Sequence, residues 1–156
     1  MTHQDFLKMA IAEGKKGMEN EIGGPFGAVV VKNGKVIAKG SNRVTSTNDP
    51  TAHAEVTVIR LACEKLHNFQ LTGCILYSSC EPCPMCLGAI YWARPDKVYY
   101  AASKVDAADA GFDDDFIYKE LKVPYEERSI PFIQDRVPES VELFEDWKNK
   151  VNKTEY

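Results

Sequence analysis

Long runs of any one chemistry are missing from this sequence, and each absence removes a class of function. The longest basic run is Lys15-Lys16, the longest acidic run is Asp113-Asp114-Asp115, and the net charge is -4. Binding to a phosphate backbone rests on clustered Lys and Arg, so this balance argues against nucleic acid as a partner. The N-terminal stretch MTHQDFLKMAIAEGKK holds no long apolar segment and is broken by acidic residues. It is expected to be neither a secretory signal nor a membrane span. No internal repeat, low-complexity segment or linker composition occurs, which predicts a single domain over residues 1–156. Histidine is scarce, with only His3, His53 and His67. There is no CxxC outside the one cluster at Cys80–Cys86 and no HxxxH, so a closed four-ligand zinc ribbon or finger is excluded.

What is present describes an ordinary globular protein, with 44% apolar and 27% charged residues. A chain of this length buries about 68–70% of its unfolded surface without staples. Five cysteines with no leader predict a reducing cytoplasm, where a CxxC binds metal or catalyses more often than it forms a disulfide. Cys63 and Cys74 sit alone among apolar neighbours and read as small buried hydrophobes.

Periodicity gives alternating elements. Residues near 2–20 have helical spacing, FGAVVVK and KVIAKGS read as strands, and Asn33-Gly34 between them is a strong hairpin signal. TAHAEVTVIRLACEKL reads as a helix with Thr51 as its N-cap. CILYSS is a buried strand, CPMCLGAIYWA a helix opened by Pro84, and KVYYAAS a further strand. PESVELFEDWKNKV is amphipathic, with Val141, Phe144, Trp147 and Val151 on one face. The central strand–helix–strand–helix–strand order implies parallel pairing through crossover helices, hence a three-layer α/β/α domain.

The stretch CEPCPMC packs Cys80, Cys83 and Cys86 into seven residues. Cys83 and Cys86 share a face at the start of a helix, where the dipole favours the thiolate. Cys80 with Cys83 is the alternative pair, disfavoured because it spans the turn restricted by Pro82 and Pro84. His53, at the start of the other central helix, supplies a third ligand. Three protein ligands with a fourth position left for water is the catalytic arrangement of zinc. Glu55, two residues on, is placed to move a proton for that water.

His53-Ala54-Glu55 followed by Pro82-Cys83-Pro84-Met85-Cys86 resembles the zinc deaminase signature, H-x-E followed by P-C-x-x-C. From GGPFGAVVVKNG through DPTAHAEVTVIR to AGFDDDFIYKEL and Tyr156, the chain is similar to the small bacterial guanine deaminases. That resemblance implies the cytidine-deaminase-like fold, a five-stranded mixed sheet between helices, and hydrolysis of guanine to xanthine and ammonia. It implies one zinc (Zn2+) per chain on His53, Cys83 and Cys86, with Glu55 as the proton shuttle. It also places a purine base against Phe26, Asn42, Trp92, Asp114 and Tyr156. Asn42 carries a donor and an acceptor for a purine edge, and Phe26 and Trp92 offer flat apolar area. The choice of Asp114 over Asp113 or Asp115 rests on the resemblance alone. The resembling enzymes exchange a C-terminal segment between two subunits, which implies a homodimer in which residues from about 130 to 156 are swapped.

Three other readings share parts of this pattern. A tRNA adenosine deaminase shares both zinc motifs, and a cytosine deaminase differs only in its pocket contacts. A non-catalytic zinc-stabilised binding domain would have no use for Glu55.

Overall fold

A computed structural model describes residues 1–112 and 114–156. They form two compact units, Met1–Asp114 and Asp115–Tyr156. Among the described residues no helix is long and apolar enough to cross a membrane.

The first unit opens with α1 (His3–Glu19), started by a reciprocal cap. The Thr2 hydroxyl accepts from the Asp5 amide at 3.3 Å, and the Asp5 carboxylate accepts from the Thr2 amide at 2.7 Å. Two strands follow, β1 (Gly27–Lys32) and β2 (Lys35–Ser41). Asn33 and Gly34 between them both have positive φ, 50° and 73°, as a type I′ turn requires. The chain then runs through a short helix, α2 (Val44–Thr47), into α3 (Ala54–Leu66), β3 (Cys74–Cys80), α4 (Pro84–Ala93) and β4 (Lys97–Ala102). A last short helix, α5 (Lys104–Asp109), is capped by Ser103 with Asp106.

The sheet order is β2-β1-β3-β4. β1 is antiparallel to both β2 and β3, and β3 is parallel to β4. The strands flanking α3 therefore run the same way, as a crossover connection expects, but β1 lies between them. Side chains alternate across β1. Ala28 and Val30 face a core shared with Val58 and Ala62 of α3 and Ile90 of α4. Val29 and Val31 face Phe6 and Ala10 of α1, with Tyr77 of β3. These two cores make the three expected layers.

Contact between α1 and the start of β1 is close enough to demand glycine. A Cβ on Gly27 would land on the Ala10 carbonyl oxygen, and one on Gly14 would come 2.9 Å from the Gly27 nitrogen. The approach fixes the point at which Phe26 leaves the sheet.

The resemblance implied five strands, and the sheet has four among the described residues. The remaining apolar stretch, residues 130–133, is interrupted by Pro131, which has no N–H for a ladder. The second unit is instead helical, with α6 (Asp115–Glu120), a 3-10 turn at Tyr125–Glu127 and α7 (Glu139–Asn149). α7 carries Val141, Phe144 and Trp147 as the spacing predicts, while Val151 lies just beyond its end. None of residues 115–156 is buried.

Candidate active site

Two helix starts carry the chemistry. His53 is the N-cap of α3 and Cys83 the N-cap of α4, and neither side chain is spent on capping its own helix. Thr51, the expected cap, is drawn away from that role. Its hydroxyl and its amide both donate to Asp49 Oδ1, at 2.6 and 2.8 Å. Such a local turn competes directly with capping. Ala52 accepts from the Arg43 amide at 2.9 Å, which ties the approach to His53 to the end of β2. Pro84 occupies the first helical position after Cys83, where its missing N–H costs nothing.

His53 Nδ1 lies 3.6 Å from Cys83 Sγ and 3.5 Å from Cys86 Sγ. The three ligand atoms all fall within 4.8 Å of one another. Zinc bonds of about 2.3 Å to sulfur and about 2.0–2.1 Å to nitrogen, at tetrahedral angles, separate the ligand nitrogen and sulfur by about 3.5 Å. The donor set and its spacing therefore fit zinc.

The three groups shift one another's protonation in opposite directions. Hydrogen bonding from the Cys86 thiol, and then from His53, holds the Cys83 thiol down at about 4. Cys86 is pushed up, because it donates to Cys83 and is buried beside Glu55. The hydrogen bond to Cys83 raises His53, and the charge of Asp114 adds to that rise.

Glu55 is buried, at 6% exposure. Its Oε1 accepts from the Ser78 hydroxyl at 3.0 Å, and its Oε2 lies 3.5 Å from Cys86 Sγ. Burial raises the carboxyl above its usual range, while hydrogen bonds from its own backbone amide and from Ser78 pull it partly back. A carboxyl so placed can take up a proton beside the metal group and give it away again.

Cys80 stands apart from the metal group. Its thiol donates to the Ser103 carbonyl at 3.4 Å, and burial raises it. Zinc should accordingly be found at one per chain, lost in Cys83→Ser and Cys86→Ser, and largely kept in Cys80→Ser. Metal analysis of the purified variants decides this, and loss of zinc from Cys80→Ser would overturn the choice of pair.

Phe26 and Asn42 are brought side by side, because the Asn42 amide donates to the Phe26 carbonyl at 2.9 Å beyond the end of the β1–β2 ladder. The Phe26 ring meets Phe112 edge-on, with centroids 4.8 Å apart. Asn42 is buried, and its Oδ1 accepts from the amides of Gly24 at 3.3 Å and Val44 at 3.1 Å. Two backbone donors fix the carboxamide orientation and consume its acceptor. The amino group is the part left to meet a ligand, so the side chain offers donors and not the donor–acceptor pair expected from its type.

Asp114 closes the first unit and is partly exposed, whereas Asp113, one of its two alternatives, lies outside the described residues. Trp92 is exposed on α4, and Tyr156 is exposed in the second unit. Ser78 is the site residue that motif reading missed. Strand alternation could have found it, since it shares a face with Cys74 and Leu76, which pack in the α3 core.

The family described as the cytidine and deoxycytidylate deaminase zinc-binding region matches residues 1–102. The guanine deaminase of Bacillus subtilis (strain 168) is 61% identical over 156 residues, covering 100% of both chains. A solved structure of guanine deaminase from Bacillus subtilis superposes with a TM-score of 0.98, covering 100% of this chain and 99% of that one. A tRNA-specific adenosine deaminase of Agrobacterium fabrum is 45% identical over 109 residues, 68% of this chain and 70% of its own.

Proposed function

Because this chain belongs to the family of zinc-binding cytidine and deoxycytidylate deaminases, we propose that it hydrolyses guanine to xanthine and ammonia. The observation that carries this reading is similarity to a guanine deaminase over the whole chain, second unit included. The likeness to a tRNA adenosine deaminase extends over 68% of the chain.

His53, Cys83 and Cys86 would hold one zinc, which when bound supplies Lewis-acid activation of a water, lowering its pKa toward about 7. The residues of the chain do the rest. Glu55 takes a proton from the attacking water as a C–O bond forms at C2 of the base, and delivers that proton to ring N3. It then passes the second proton to the amine as the C2–N bond breaks, leaving a carbonyl and ammonia. Backbone amides at the starts of α3 and α4 stabilise negative charge that develops between them. A structural zinc site would gain nothing from Glu55, whose burial is itself costly.

Asn42 supports guanine in particular. With its oxygen held by Gly24 and Val44, it offers N–H donors. Guanine presents O6 and N7 as neighbouring acceptors, whereas adenine presents a donor at position 6. Asp114 supplies an acceptor for ring N–H groups. Phe26, held by Phe112, and Trp92 flank the base, and Tyr156 closes over it.

The reading extends to a homodimer in which the segment from about 130 to 156 is exchanged, so that Tyr156 completes the partner's site. Its support is the second unit's lack of any buried residue, with Leu143 at 67% and Phe144 at 69% exposure. A unit this small has no core of its own and needs a second surface. Exchange of an identical element is a low-cost way to supply one. Five free thiols support a reducing cytoplasm as its location.

Ammonia release from guanine, adenine, cytosine, cytidine and an adenosine-bearing tRNA hairpin tests the assignment. Release from guanine alone is expected. Release from the hairpin alone would replace the reading with adenosine editing.

A further inference from the structure

We propose that Ser78 is a positioning residue for the proton shuttle, its hydroxyl holding Glu55 Oε1 so that the transferable proton is carried on Oε2. The inference rests on the reading of Glu55 given above and deepens it.

Ser78 is 2% exposed and lies in β3 on the face that packs against α3. The same face carries Cys74 and Leu76, both in the apolar core. A hydroxyl in such a row costs stability unless it is hydrogen-bonded. Here the Cys80 amide donates to Ser78 Oγ at 3.5 Å, so the hydroxyl proton is directed elsewhere. It goes to Glu55 Oε1, 3.0 Å away. The other carboxylate oxygen, Oε2, is the one that lies 3.5 Å from Cys86 Sγ and so faces the metal ligands.

The two oxygens of a free carboxyl are equivalent, and a proton can settle on either. An O–H donor to one of them breaks the equivalence. A protonated carboxyl accepts well at its carbonyl oxygen and poorly at its hydroxyl oxygen, so the proton is driven to Oε2. The bond also stops the carboxyl from turning. In both protonation states the working oxygen is the one beside the ligand set. The neighbouring hydroxyl cannot substitute, because Ser79 points to the opposite face and accepts from the Gly27 amide at 3.0 Å.

Ser78→Ala is expected to lower kcat on guanine about ten- to a hundredfold, the scale of one hydrogen bond to a charged group. KM and zinc content should stay unchanged, because neither the base contacts nor the ligands are touched. Ser78→Thr keeps the hydroxyl and should recover most of the rate. In a Glu55→Gln background Ser78→Ala should cost nothing further in kcat, since no shuttle remains to be positioned. A readout independent of turnover is thermal unfolding of the zinc-free protein. Ser78→Ala should melt below wild type and Ser78→Thr close to it.

Should Ser78→Ala fail to fold, Ser78→Thr and Ser78→Val, alike in shape and different only in the hydroxyl, make the same comparison. An unchanged kcat, a raised KM, or an equal loss in both backgrounds would overturn the proposal. If the wild-type protein releases no ammonia from guanine, the underlying reading fails and the positioning role fails with it. Wild-type turnover with an unaffected Ser78→Ala removes the positioning role alone.

Discussion

Glu55→Gln should lose about 10²- to 10⁴-fold in guanine turnover, the range that general acid–base catalysis contributes, while keeping its zinc. Glutamine has the shape of glutamate and can still accept from Ser78, which approaches Oε1 at 3.0 Å. It cannot take a proton from water or return one to a leaving amine. His53, Cys83 and Cys86 are unaltered, so metal content separates lost chemistry from a lost site. Ammonia release near the wild-type rate would sink the assignment of Glu55.

The same variant should show the opposite effect on stability in the zinc-free protein. Burial raises the Glu55 carboxyl above its value in the unfolded chain, about 4.3. A group whose pKa is raised by folding contributes stability below the unfolded value and loses it as pH rises through the folded value. At neutral pH the buried carboxyl is therefore a cost to the fold, whether it stays ionised or takes up a proton, and Gln removes it. Zinc-free Glu55→Gln should melt above zinc-free wild type at pH 7–8, and the gap should close as the pH falls toward about 4.3. Thermal scans across that window measure it. A gap that widens on acidification would contradict the shift. Stability surrendered at a working carboxylate is a common feature of sites built for chemistry.

If Tyr156 completes a site as proposed, deleting Thr154-Glu155-Tyr156 should lower guanine turnover on the order of 10²-fold, with zinc and folding preserved, because groups that orient the base and exclude water would be lost. These residues lie in the second unit, outside the unit that contains His53, Glu55, Cys83 and Cys86. They follow α7 and end in an exposed aromatic, Tyr156. If the segment is exchanged between subunits, the defect can be repaired in trans. Co-refolding an inactive Glu55→Gln chain with an inactive tail-deleted chain should form heterodimers in which one site has both an intact Glu55 and an intact partner tail. With equal amounts and random pairing, about a quarter of all sites regain function. Heterodimers that form but stay inactive would mean that the tail acts on its own chain or has no part in turnover.

Sequence alone determined what depends on near neighbours. The spacing of Cys83 and Cys86 on one helix, the nearness of His53 to Glu55, the Asn33-Gly34 turn and the amphipathic run through Val141, Phe144 and Trp147 are all local. Their signals arise from backbone geometry over a few residues, so they survive without knowledge of the rest of the chain. Tertiary structure alone decided what depends on residues far apart. β1 sits between β2 and β3 because it pairs antiparallel with both, a choice made by sheet packing and invisible in the order of elements. Asn42 became a donor because Gly24, eighteen residues away in sequence, takes its oxygen together with Val44. In the sequence Ser78 is only one residue of the buried strand CILYSS, and the fold sets its hydroxyl against Glu55, twenty-three residues away. Motifs name the atoms that can react because reactivity belongs to residue type and local spacing. Which oxygen of Glu55 is held by Ser78, and which polar atom of Asn42 is taken up, follow from hydrogen bonds that exist only once the chain has closed.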